Sequence, residues 1–184
     1  MTKLGVRPTA HLAPPALEDV RIRPYGITDG PRLRRMSERL SKTSLYTRFF
    51  SGTPHIPEHY VRLLERLDHW DREALVALDG DEIAGVAEYS RDRRRPWCAD
   101  LAVLVTDPWQ RRGVGSALVR CLAPLAARRG ITEFEADVIL GNRDALRFVR
   151  HGWPAAHASN VDGAAHFRLP LPVRPLGLAA PRPR

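Results

Sequence analysis

Cysteine and lysine are both scarce in this sequence. Cys98 and Cys121 are its only cysteines. With no CxxC and no second pair they build neither a zinc site nor a disulfide framework. Both are expected to be reduced and at least partly buried in a cytoplasmic protein. No HExxH occurs, and the one i,i+4 histidine pair, His55 and His59, has Pro57 between its members, so no metal is expected. No apolar run approaches about 18 residues, and the N-terminus lacks the apolar segment of a signal peptide. Neither export nor membrane spanning is expected. The formal charge is +8, and Lys3 and Lys42 are the only lysines among 29 cationic side chains. Such a balance raises the question of a nucleic-acid partner. The arginines crowd the termini and loops, however, and RDRRRPW interleaves no aromatic but Trp97, which argues against one.

What is present fits one domain with tails. Residues 1–17 and 172–184 are rich in Pro and Ala and are expected to be disordered, leaving a domain over 18–171. The segment from Val20 reads as a strand. Thr28 or Asp29 can cap a helix with Pro31 in its first turn and Leu33, Met36 and Leu40 at helical spacing. RFFSGTPHIP reads as a loop leading into a Pro57-started helix with Val61, Leu64 and Leu67 on one face. REALVALDGDEIAGVAEYS is a hairpin about Asp79-Gly80. CADLAVLVTD is the nearly continuous apolar strand expected when both faces are buried. Val114, Leu118, Cys121, Leu122 and Leu125 share a helical stripe that Pro124 is expected to kink and Gly130 to end. ITEFEADVIL alternates, with Phe134, Ala136 and Val138 inward and Glu133, Glu135 and Asp137 outward. Asn142 can cap NRDALRFVRHG, and Asp162-Gly163 turns a closing hairpin. The result is an α/β domain, a mixed sheet with helices on both faces.

One stretch carries chemistry. TDPWQRRGVGSALVR runs from the end of the apolar strand through Gln110, Arg111, Arg112, Gly113, Val114, Gly115 and Ser116 into the helical repeat that counts from Val114. A helix start has backbone N–H groups without intrahelical partners, and with the helix dipole they favour an anion. Glycine there admits close backbone approach, and the arginines add charge-assisted bonds. The P-loop pattern fails because no lysine follows either glycine. The dinucleotide fingerprint fails because position 118 is leucine.

Gln110-Arg111-Arg112-Gly113-Val114-Gly115, behind a hydrophobic strand, resembles the Q/R-x-x-G-x-G/A loop of the GNAT acetyltransferase superfamily. The likeness extends over about residues 20–171. RLSKTSLYTRFFS, the REALVALDGDEIAGVAEYSRD hairpin and NRDALRFVRHGW look like bacterial Pat-type protein lysine acetyltransferase domains. The resemblance implies a single GNAT-like domain with splayed central strands and acetyl-CoA as co-substrate. It implies a pyrophosphate held by Gln110 to Ser116 and a pantetheine arm along Val103, Leu104 and Val105. Asn142 matches the family's cofactor-side asparagine. Asp100 stands where the Pat-type pattern has its glutamate base, and Glu88, a polar residue in an apolar strand, is the second candidate. The acceptor is expected to be a protein lysine, with a small amine or a non-catalytic acyl-CoA-binding module as alternatives. The tyrosine that many members carry in the last helix falls here on Phe148 or Val149, neither of which donates a proton.

Overall fold

The computed structural model describes residues 17–173. The expected tails thus lie outside the described residues, apart from Leu17, Pro172 and Val173. Seven strands form one sheet in the order β1-β2-β3-β4-β5-β7-β6. They are β1 (Val20–Pro24), β2 (Arg72–Asp79), β3 (Glu82–Arg91), β4 (Cys98–Val105), β5 (Glu133–Ile139), β6 (His157–Val161) and β7 (Ala164–Pro170). Every neighbouring pair is antiparallel except β4 and β5.

The helices are α1 (Gly30–Met36), α2 (Lys42–Phe49), α3 (Glu58–Leu64), α4 (Val114–Arg128) and α5 (Arg143–Gly152). Leu33, Met36, Leu45, Tyr60, Val61 and Leu64 bury one sheet face with Val76, Val86 and Leu104. Val114, Leu118, Leu122, Ala126 and Val149 bury the other with Leu75, Tyr89, Leu101 and Phe134. Helices therefore cover both faces. Among the described residues no helix is long and apolar enough to cross a membrane.

Three expectations are corrected. α2 takes in Arg48 and Phe49, which read as the start of a loop, because Ser41 caps it by accepting the Ser44 N–H at 3.1 Å, a cap with few apolar residues behind it. Helix α4 runs through Pro124 to Arg128 and stops just before Gly130, its expected end; tertiary packing of Leu122, Ala123 and Ala126 holds its second half. Cys121 is exposed, while Ala117, Val119 and Ala123 take its place on the buried stripe. Glu135 is only 6% exposed, because the Arg95 guanidinium folds over it with contacts of 2.6 and 2.7 Å.

One glycine has a positional reason invisible in a motif. A Cβ on Gly85 of β3 would lie 3.1 Å from Val114 Cγ1 and 3.2 Å from both Leu104 O and Leu118 Cδ1. Its absence lets the first turn of α4 sit directly on the sheet.

Candidate active site

The central feature is a parting of strands. β4 and β5 pair only from Cys98↔Glu133 to Asp100↔Glu135, whereas β3 and β4 stay paired from Arg91↔Ala99 to Gly85↔Val105. Thr106 N–H donates to Ala84 O, and Asp92 N–H donates to Cys98 O, both at 2.9 Å. Backbone direction alternates along an antiparallel ladder. The even-numbered residues of β4 therefore turn their backbone groups toward β3, and Leu101, Val103 and Val105 turn theirs into the gap. This separates the three candidates. Val103 and Val105 present peptide groups to the gap, with Val105 O accepting from Gln110 Nε2 at 3.1 Å. Leu104 spends its peptide groups on β3 and its side chain on the core.

The glycine loop follows at the open end. Arg111 and Gly113 both have positive φ, 59° and 87°. The first is an unfavourable state for a residue with a Cβ, and such alternation turns successive N–H groups toward one point as an anion-binding concavity. α4 begins with Gly113 as its cap and no side-chain cap bond. The N–H groups of its first turn therefore have no protein partner within the helix. Arg111 and Arg112 are exposed beside it. Gly115 lies in the first turn of that helix, over β4. A Cβ there would meet Val103 Cγ1 at 3.5 Å and Val105 Cγ2 at 3.7 Å, ordinary contact distances, so packing against the strand does not by itself demand a glycine. Gln110 turns its amide inward, with Nε2 donating to Ser44 Oγ at 3.0 Å and Asp107 Oδ1 at 3.1 Å. Ser44 Oγ in turn donates to Asp107 Oδ1 at 2.7 Å. The loop is thereby tied to α2, and Gln110 acts on it as a brace. Asn142 Oδ1 caps α5 by accepting the Ala145 N–H at 3.1 Å.

On the face of α1 to α3 a cleft of about 920 Å³ opens beside the gap. The pairs Glu88↔Ala102 and Ser90↔Asp100 put both candidate carboxylates on that face, two residues apart in register, and both line the cleft. Their surroundings differ. Glu88 accepts from Arg48 Nη2 at 2.6 Å, with the two side chains 13% and 19% exposed. The Arg48 guanidinium sits 5.0 Å from the centroids of both the Phe49 and Tyr60 rings. Burial pushes Glu88 above the usual carboxylate range, against the pull of Arg48. Burial likewise holds the Tyr60 phenol far above its ordinary value, so it stays neutral.

Asp100 lies exposed on the cleft floor and, among the described residues, its carboxylate makes no hydrogen bond or ion pair. The other four carboxylates of the cleft are occupied. Asp68 accepts two backbone N–H groups, Asp71 holds Arg91, Glu88 holds Arg48 and Asp92 holds Arg95. Partial burial raises Asp100 as well, aided by the negative charges of Glu135, Asp92 and Asp137. A neighbouring group of Cys98, Glu133 and Glu135 has ligand atoms within 4.8 Å of one another. Its carboxylates are engaged by Arg168 and Arg95. In the last helix Val149 is buried and Phe148 packs edge-on to Trp153, with centroids 6.1 Å apart. Sequence reading did not find Arg48, Tyr60, Ser44 or Gly85, whose roles exist only once α2, α3 and the sheet are packed together.

The same arrangement recurs in solved proteins. The GNAT domain of S. lividans PAT matches with a TM-score of 0.75 at 30% identity, covering 83% of this chain and 90% of that one. A GCN5-related N-acetyltransferase from Kribbella flavida shares the fold with a TM-score of 0.65 at 20% identity, covering 84% of this chain and 99% of that one. The PaiA N-acetyltransferase from Thermoplasma acidophilum, in complex with coenzyme A, shares it at 0.62 and 15% identity, covering 83% and 99%. The acetyltransferase (GNAT) family model matches residues 41–153, from the cap of α2 to the end of α5. Strand parting, glycine-capped helix and carboxylate-lined cleft all fall within that span, and the chain belongs to the GNAT acetyltransferase family.

Proposed function

We propose that this GNAT acetyltransferase uses acetyl-CoA to acetylate a primary amine, most naturally a lysine side chain of a protein, with Asp100 as general base. The observation that carries the reading is the one unpaired carboxylate on the cleft floor, beside the strand gap. Acetyl-CoA supplies the acetyl group as a thioester. The concavity formed by Arg111 to Ser116 suits its pyrophosphate, because the backbone N–H groups of the first turn of α4 open there beside exposed Arg111 and Arg112. The gap-facing peptide groups of Leu101 and Val103 suit the amides of its arm. Free Cys98 and Cys121 fit a reducing, cytoplasmic setting.

The base is needed because the acceptor arrives protonated. An amine of pKa about 10.4 stands roughly three units from its neutral form at pH 7, a cost of about 4 kcal/mol. Asp100, directly or through a water, takes that proton, and the freed lone pair attacks the acyl carbon. Such general-base help is worth about 10²–10⁴ in rate. The raised pKa of Asp100 makes it a stronger base than a free aspartate. Glu88 is clamped by Arg48 and serves to hold α2 against the sheet. Phe148 and Val149 have no proton to donate, so either the thiol leaves as thiolate or another group protonates it. The Pat-type likeness of the α2 and hairpin segments favours a protein lysine over a small amine.

The test is release of free thiol from acetyl-CoA across a panel of blocked lysine, polyamines, amino acids and protein substrates. Release with lysine-bearing acceptors supports the reading. Release only with small amines moves the acceptor class. Tight acetyl-CoA binding with no release by any amine would leave a binding module.

A further inference from the structure

We infer that Trp70, with Leu63, is the acceptor-specificity wall of the cleft, taking the methylene stem of a long-chain primary amine whose nitrogen reaches Asp100. This rests on the transferase reading given above. Both residues line the cleft, and both leave large apolar surface open, 59% for Trp70 and 40% for Leu63. An exposed indole inside a concave site is an unspent recognition surface.

Its exposure is imposed by the backbone. His69 is held at φ 55°, in the left-handed region. Such a state persists only where the surroundings over-determine it, and it clusters at functional sites. Here they do so. Asp68 Oδ1 accepts the N–H groups of Trp70 and Arg72, each at 2.9 Å. The Tyr89 hydroxyl donates to Trp70 O at 2.8 Å. His69 Nδ1 lies 2.8 Å from Glu73 Oε1, and Glu73 also accepts from Arg129 at 2.9 Å. The Arg129 guanidinium then sits 5.7 Å from the indole centroid. The ring is fixed on the rim.

Position and charge select the occupant. Arg72, Ser90 and Asp100 stand side by side across β2, β3 and β4. The turn that carries Trp70 is therefore two strand spacings, about 10 Å, from the Asp100 strand. A very short amine cannot lie on the wall and reach the carboxylate together, whereas an amine on a stem of several carbons can. Asp100, without an ion pair, complements the ammonium end. Each methylene laid on the wall is worth roughly two- to fourfold in affinity.

The experiment compares Nα-blocked lysine, ornithine and diaminopropionate as acceptors for the full chain. In parallel, the Trp70 indole N–H resonance, assigned by its loss in Trp70→Phe, is followed during titration with each. kcat/KM should fall stepwise as the stem shortens. Trp70→Ala should lower it at least tenfold on blocked lysine, mainly through KM, and flatten the chain-length trend. Trp70→Phe should keep the trend. Coenzyme A affinity should be unchanged, and Trp97→Ala, which alters an exposed tryptophan outside the cleft, should behave as wild type. An unchanged trend in Trp70→Ala, or thiol release with no movement of the Trp70 resonance, overturns the wall and leaves the transferase standing. A resonance that moves with lysine and not with diaminopropionate supports the wall even without turnover. Neither turnover nor movement with any acceptor overturns both.

Discussion

Replacing Arg48 with leucine tests how the two cleft carboxylates divide their work. Arg48 and Glu88 meet at 2.6 Å with most of each side chain buried. Removing one member of such a pair strands the other, typically at about 3–5 kcal/mol. Each side chain keeps some solvent contact, and leucine can fill part of the space between Phe49 and Tyr60, so the low end, about 3 kcal/mol, is expected. For a domain of this size that is a fall in Tm of about 6–12 °C. The loss should depend on pH, with a definite sign. Arg48 is the main influence lowering Glu88 against the burial that raises it. Without Arg48 the folded-state pKa rises further, so the folded chain holds this proton where the unfolded chain, near its ordinary value of about 4.3, releases it. Wild type, with Glu88 already raised, shares the first part of that loss, so stability of the variant relative to wild type should decline as pH climbs from the wild-type folded value through the higher value of the variant, and then level off. Urea unfolding at pH 4.5 and pH 8 reads this directly. The double variant Arg48→Leu/Glu88→Leu should recover to within about 1 kcal/mol of wild type. A loss below about 1 kcal/mol in Arg48→Leu, or one equal at the two pH values, would refute the clamp and return Glu88 to candidacy as the base.

Two further outcomes follow from contacts of the site. Gly85→Val should push on Val114 and Leu118, cost about 1–3 kcal/mol as overpacking, and weaken coenzyme A binding through displacement of the α4 N-terminus. Calorimetry showing wild-type affinity would separate that turn from the cofactor. Glu135→Gln removes the largest of the negative charges that raise Asp100 and frees Arg95, which lowers it. Both effects shift the acidic limb of the kcat/KM profile to lower pH, and an unmoved limb means that Asp100 does not set it.

Much of this was legible because the informative residues are local. The strand of residues 98–105, the glycine pair after it and the Asn142 cap announce themselves by period and spacing. The hairpin turns at Gly80 and at Asp162-Gly163 do so through residues that tolerate positive φ. α2 was hidden because its signal is one serine cap followed by Lys, Thr and Ser, with Leu45 alone fully buried. The division between Glu88 and Asp100 was equally hidden. It depends on Arg48 reaching across from α2, forty residues away in sequence. Gly85, outside any motif, turns out to seat the helix. Trp70 looked unremarkable among four tryptophans until the strained turn set it on the cleft rim.

The decisive measurement is acetyl transfer to blocked lysine by Asp100→Asn beside Glu88→Gln, across pH 5–9, with coenzyme A affinity measured on the same samples. Asp100→Asn keeps the shape and removes the base. It should lower kcat by about 10²–10⁴, abolish the acidic limb and leave coenzyme A binding intact. Because Asp100 is raised in the folded state, its ionisation opposes folding, so Asp100→Asn should be no less stable than wild type at neutral pH and should lose any advantage in acid. Glu88→Gln should retain most of the turnover with the limb in place. A fall below about threefold in Asp100→Asn, set against a far larger loss in Glu88→Gln, would contradict the assignment and make Glu88 the base.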